Sequence, residues 1–139
     1  MSDFPGQVNN RSFYYFSALS QNWKDQLPTS NWLLLLIGDS RDEDLMNEIA
    51  RASLENNVAY VSTLGKEAEW IHDWFDEVAA IRSLPAKAEE PITTFHDDFE
   101  EGVWFAFHAA FGKTEIGKVV CVDFTGAHQS KLEKILASF

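Results

Sequence analysis

The sequence predicts an α/β fold, a three-layer sandwich whose mainly parallel sheet has about four strands. Three observations carry this reading. Short apolar runs alternate four times with segments of helical period. Each run closes on polar residues that double as the start of a helix. The length of 139 residues suits a single domain, residues 1–139, able to bury about 68–70% of the surface its unfolded form exposes. Strands separated by helices require crossover connections, and these place helices on both faces of a parallel sheet.

Residues 1–11 are polar, with Pro5 and Gly6, and read as a loose lead-in. Residues 12–31 hold Phe13, Tyr14, Tyr15, Phe16 and Trp23 without a clean period; a short extended or helical piece followed by a turn at Pro28-Thr29-Ser30 is expected. Trp32-Leu33-Leu34-Leu35-Leu36-Ile37 stops at Gly38-Asp39-Ser40, as a strand buried on both faces would. Acids from Asp39 to Asp44 suit the positive end of a helix dipole, and Leu45, Met46, Ile49, Ala50 and Leu54 then define a helix over 43–55 that Asn56-Asn57 ends. Val58-Ala59-Tyr60-Val61 is the second strand. Residues 66–83 form the clearest amphipathic helix, with Ile71, Trp74, Phe75, Val78 and Ile81 on one face and Glu67, Glu69, Asp73, Asp76 and Glu77 opposite. Residues 83–91 are a loop of ordinary length. Ile92-Thr93-Thr94-Phe95 is the third strand. Asp97 or Asp98 caps a helix over 99–111, with Gly112 placed to end it. Val119-Val120-Cys121-Val122 is the fourth strand, and Leu132, Ile135, Leu136 and Phe139 mark a closing helix. The pattern is Rossmann-like or flavodoxin-like in the loose sense.

Composition removes several function classes. At 45% hydrophobic and 14% aromatic, the chain is too apolar for intrinsic disorder. Its longest apolar run is six residues, far short of a membrane span. Met1-Ser2-Asp3-Phe4-Pro5 lacks the features of a secretory signal, and a cytoplasmic location is expected. The lone Cys121 excludes an internal disulfide. Eleven basic residues against 22 acidic ones leave a net charge of −11, which argues against nucleic acid and against anionic membrane surfaces.

In such a sheet, ligands bind beyond the carboxyl ends of the strands. The polar residues expected there are Asp39, Ser40, Ser62, Thr63, His96, Asp97, Asp98, Asp123, Thr125 and His128. Ser, Thr and Asp at these places also serve as helix caps. Asp42, Glu43, Asp44, Glu100 and Glu101 make the rim strongly negative, with Arg41 and Lys66 its nearby cations. Like charges about 4 Å apart repel by roughly 4 kcal/mol at an effective dielectric near 20, and a helix N-terminus offsets only about 1–2 kcal/mol of that. A free phosphate is therefore disfavoured. No G-x-G-x-x-G follows a strand, and Gly112-Lys113-Thr114 imitates a P-loop with Phe107 where its first glycine belongs. If the rim held a divalent metal, Asp39, Asp97, Asp98 and Asp123 would be its ligands; no other cofactor is implied. If it were catalytic, Ser40, His96, Asp98 and His128 would be the working residues, beside Asp39 and Asp123.

Two short resemblances bear on that rim. Leu35-Leu36-Ile37-Gly38-Asp39-Ser40 resembles the first block of the GDSL (SGNH) hydrolases, which implies a nucleophilic role for Ser40. The Gly-x-Asn-Asp block and the late Asp-x-x-His pair of that family are absent, and Asp123 with His128 is the nearest imitation. The strand-end acids resemble in outline the magnesium pocket of response-regulator receivers, without their adjacent acidic pair or strand-end lysine. Among the other histidines, His72 is expected in solvent on the acidic face of its helix.

The aromatic surplus points elsewhere. Phe99, Val103, Trp104, Phe105, Ala106, Phe107, Ala109, Ala110 and Phe111 make the helix over 99–111 apolar almost all round. Such a helix is enclosed by its own fold or covered by a partner; the N-terminal aromatics could do the enclosing. Trp70 lies off the main apolar stripe of its helix, beside Asp73 and Trp74. Aromatics rimmed by acids suit a protein interface with Trp70, Trp104, Phe105 and His108 in it. The expected function is a non-enzymatic interaction module (an inhibitor, immunity-type or regulatory protein) whose partner is a basic protein or a second copy. The alternative is a hydrolase or metal-assisted phosphotransfer enzyme at the sheet rim.

Overall fold

The computed structural model describes residues 7–20, 22–82, 90–112 and 115–139. Residues 1–6 of the expected lead-in, 83–89 of the expected loop, and Lys113 and Thr114 lie outside the described residues. The architecture is an α/β three-layer sandwich around a six-stranded, mostly parallel sheet. Its strands are β1 (Gln7–Val8), β2 (Arg11–Ser17), β3 (Trp32–Ile37), β4 (Tyr60–Leu64), β5 (Ile92–Phe95) and β6 (Lys118–Asp123). They lie in the order β1-β2-β6-β3-β4-β5, and only β1–β2 is antiparallel. The described helices are α1 (Glu43–Glu55), α2 (Ala68–Arg82), α3 (Phe99–His108) and α4 (Gln129–Ala137), with a 3-10 turn at Trp23–Gln26.

The four expected strands are β3 to β6, but the sheet holds two more. Asn9 and Asn10 have φ of 50° and 64°, which is the geometry of a two-residue type I′ turn, and they fold β1 back on β2. Residues 7–11 are thus paired strand and turn, not loose. β2 then lies alongside β6, Phe13 beside Val119 and Tyr15 beside Cys121. The aromatic run lacked a helical period because strand residues alternate between faces. Phe13 and Tyr15 join one core layer, and Phe16 the other.

The same alternation divides β3. Trp32, Leu34 and Leu36 pack with Met46, Ile49, Ile71 and Phe75 of α1 and α2, joined by Trp23. Leu33, Leu35 and Ile37 pack with Val103, Phe107, Leu132 and Leu136 of α3 and α4. Every β3 side chain is fully buried, as a continuous apolar run in a central parallel strand requires. Ile81, expected in the α2 core stripe, is instead 71% exposed.

Asp42 caps α1 and Asp98 caps α3 through side-chain bonds to Leu45 N and Glu101 N. Asn57 leaves α1 with φ of 59°, the left-handed residue that ends a helix. α3 stops at His108 and does not continue to residue 111. Arg11 donates to the carbonyls of Ala106 (2.6 Å) and Ala110 (2.7 Å), and Asn9 donates to that of Phe107 (2.8 Å). With the Ala106 carbonyl taken, Ala110 N turns to Phe105 O instead. The β1–β2 hairpin is therefore the cap of α3.

From β3 the sheet grows outward through β4 and β5, then returns to add β6 on the other side of β3. Strand order reverses between β3 and β6. Their carboxyl ends flank the crevice where open α/β sheets place ligands.

Candidate functional site

One polar network occupies that crevice. Asp123 ends β6 with no solvent exposure. Its Oδ2 accepts from the Tyr15 hydroxyl at 2.8 Å and from His128 N at 2.9 Å, and its Oδ1 from Thr125 N at 3.4 Å. His128 stands at the start of α4, with Nδ1 3.2 Å from Asp123 Oδ1 and Nε2 3.0 Å from Asp39 Oδ2. The other Asp39 oxygen accepts from Lys66 N at 2.7 Å. Phe99 stacks on the His128 ring at 5.5 Å, and the Lys131 ammonium lies 4.2 Å from the Phe99 centroid. Burial raises the Tyr15 phenol well above its ordinary value, and the hydrogen bond to Asp123 adds to the shift. A buried carboxyl group with this many donors is compensated, not orphaned.

The network joins four of the residues expected on the rim: Asp39, Asp123, His128 and, through its backbone N–H, Thr125. It leaves out Ser40, which is exposed on the loop after β3. Both nitrogens of His128 face carboxyl oxygens, so neither is offered to a serine hydroxyl. His96 sits elsewhere, against the Phe105 ring at 4.7 Å and 3.2 Å from Thr94 Oγ1, and burial lowers its pKa. Asp98 is a helix cap, and Asp97 is exposed beside it. Ser62 and Thr63 are not on a turn: β4 runs on to Leu64 and buries both. Among the described residues no three His, Cys, Asp or Glu side chains are grouped to hold a metal ion. The pocket imagined from Asp39, Asp97, Asp98 and Asp123 is not formed, because Asp39 and Asp123 meet through an imidazole. Gly65, at φ of 100°, presses its Cα side onto the Gly38 carbonyl and closes the loops after β3 and β4 against each other. The Cys121 thiol is fully buried, and that burial raises its pKa.

The second constellation is on α3. Gly102 lets the helix lie close to Leu64 and His96, since a Cβ there would collide with the Leu64 side chain. Val103, Ala106 and Phe107 fill the core, and Phe13 packs on Phe107 at 5.5 Å. Phe105 is half-buried between Tyr60 and His96. Enclosure by the N-terminal aromatics is therefore real but covers one side only. On the other side Trp104 remains 47% exposed. His108 stacks on its indole at 5.0 Å with 14° between the planes, and bonds to Trp104 O through Nδ1 at 3.0 Å. Phe139, 43% exposed, meets His108 edge-on at 5.3 Å. Asp97, Glu100 and Glu101 are exposed on the turns that precede Trp104. Phe111, just past the helix, is 71% exposed with Arg11 5.9 Å from its centroid.

Trp70 is better covered by its own chain. It packs on Trp74 at 5.2 Å, lies 6.0 Å from the Arg41 guanidinium, and lines a cavity with Arg41, Lys66, Glu67, Glu69 and Asp73. His72 is not in solvent. Its ring bonds Asp73 and Thr93 and sits edge-on to Phe95 between α2 and β5. The signal missed in the sequence was Thr93, whose hydroxyl the edge strand carries toward α2.

Fold and sites together define a doubly wound α/β domain with a satisfied polar clasp at its switch point and an acid-flanked aromatic face on one helix. A family model described as "Domain of unknown function (DUF7684)" matches residues 13–139. The chain belongs to that family. A search of curated proteins finds no match. Among the described residues, no helix is long and apolar enough to cross a membrane.

Proposed function

We propose that this protein is a non-enzymatic interaction module, a small cytoplasmic inhibitor, immunity-type or regulatory protein, that binds a basic polypeptide through α3. The observation that carries the reading is Trp104. A half-exposed indole, held flat by His108 and preceded by exposed acids, has the composition of an interface anchor with a polar rim. The net charge of −11 supports it by steering a cationic partner and opposing nucleic acid. The test is chemical-shift mapping of the 15N-labelled protein during titration with a short polybasic peptide. Shifts confined to residues 97–111 and Phe139 support the proposal. Shifts centred on Asp39 and His128, or none at all, contradict it.

A second reading, hydrolysis at the sheet rim, is favoured by the line Asp39–His128–Asp123 at the switch point. In it, Asp123 orients the imidazole and Asp39 is the group beside the base. Against it stand the two engaged ring nitrogens and the closure of the rim by Gly65 on Gly38. Turnover of a panel of ester and phosphate substrates that vanishes in Asp39→Asn and His128→Gln would establish this reading over the first.

A further inference from the structure

We propose that the α3 face is selective for arginine: a partner's arginine side chain lies on the outward face of Trp104 while Glu100 and Glu101 receive its guanidinium N–H groups. The inference rests on α3 being the docking face, and adds what that face recognises.

Four observations support the seat. First, His108 covers one side of the indole with nearly parallel planes, which orients the ring, and Trp104 remains 47% exposed. His108 is itself held by Trp104 O and by the edge of Phe139. Second, residues three and four apart are neighbours on a helix, and side chains lean toward its N-terminus. Trp104 therefore inclines toward Glu101 and Glu100, both exposed. Third, the chain brings its own cations near four other aromatic rings, one of them buried. Lys24 lies 6.0 Å from Trp23, Arg41 6.0 Å from Trp70, Lys131 4.2 Å from Phe99 and Arg11 5.9 Å from Phe111. Among the described residues no cation occupies Trp104, the most exposed tryptophan. Fourth, a second copy is a poor occupant, because each copy carries −11 and the acids beside Trp104 would face their own kind.

Arginine fits better than lysine for a geometric reason. A guanidinium is planar, so it can lie on a ring and still donate sideways into carboxylates in the same plane. An ammonium is a compact, strongly hydrated charge that loses one contact in making the other.

The test is calorimetric titration of the full chain with a Gly/Ser peptide bearing several arginines and with its lysine counterpart. The arginine peptide is expected to bind about tenfold more tightly. Trp104→Ala should bring the ratio near unity while leaving salt-sensitive binding to both peptides. Trp104→Phe should keep part of the preference, and Glu100→Gln with Glu101→Gln should weaken the arginine peptide most. Circular dichroism checks that each variant is folded. Equal affinity for both peptides, unaltered in Trp104→Ala, overturns the arginine seat and leaves an acidic docking face standing. No binding of either peptide, or a sedimenting dimer that buries Trp104, overturns both.

Discussion

Arg11 Nη2 donates to the carbonyl oxygen of Ala110 at 2.7 Å, joining the start of β2 to the end of α3 across 99 residues of sequence. Its Nη1 does the same for Ala106. One buried guanidinium thus satisfies carbonyls that the end of a helix leaves open, and burial lowers its pKa. The contact also fixes the axis of the helix that carries Trp104.

Replacing that guanidinium should be costly. Arg11→Met leaves two carbonyls without donors, each worth about 1–3 kcal/mol when buried. We expect a loss of about 3 kcal/mol in unfolding free energy by urea titration. A loss below about 1 kcal/mol would show that water replaces the side chain without penalty.

The closure between the loops after β3 and β4 depends on Gly65. Its φ of 100° is unfavourable for any residue with a side chain, and an added Cβ would meet the Gly38 carbonyl oxygen. Gly65→Ala should therefore cost about 2–4 kcal/mol and lower Tm by about 10 °C. An unchanged Tm would mean that the two loops are not pressed together.

Tyr15 and Asp123 set an alkaline limit. The phenol pKa in the folded chain is raised above the ordinary 10.0, chiefly by burial and then by Asp123. The unfolded chain ionises first, so the stability is fully present below pH 10.0 and is lost as pH rises past it. Tyr15→Phe should cost about 1 kcal/mol at neutral pH through the lost hydrogen bond, yet show a smaller decline above that pH. Denaturation midpoints in neutral and alkaline buffers check both signs.

His96 sets an acidic one. Its pKa is lowered from 6.5 by burial, with Glu101 and Asp97 opposing part of the shift. Between the lowered value and 6.5 the unfolded chain binds more protons, so this contribution is complete above 6.5 and declines as pH falls below it. His96→Phe should flatten the loss of urea midpoint between about pH 7.5 and about pH 5. An identical slope in wild type and variant would place the acid sensitivity elsewhere.

Much of the architecture could be read from the sequence because β3 to β6 and the helices between them follow simple periods. The all-apolar run Trp32–Ile37 could only be a central strand, and Asp42, Asp98 and Asn57 sit where helix ends need them. The hairpin was the gap. Asn9-Asn10 is a turn signal, but the strand after it alternates two aromatic faces and so resembles no single-face pattern. The rim was partly legible: Asp39, Asp123 and His128 were placed at strand ends, whereas their convergence depends on β6 inserting beside β3, and strand order leaves no mark in local sequence. Trp104 and Phe105 are adjacent and equally apolar, yet one faces outward and the other packs on Tyr60 and His96. That choice is made by helix rotation, which Gly102 and Arg11 determine from opposite ends.

The docking claim comes down to one resonance. Protein labelled with 5-fluorotryptophan carries five reporters, at Trp23, Trp32, Trp70, Trp74 and Trp104, with Trp104→Phe assigning the fifth. On titration with the arginine peptide, the Trp104 signal should shift and saturate while those of buried Trp23 and Trp32 stay fixed. A Trp104 signal that never moves, at peptide concentrations that shift any of the other four, would contradict α3 as the face that takes a partner.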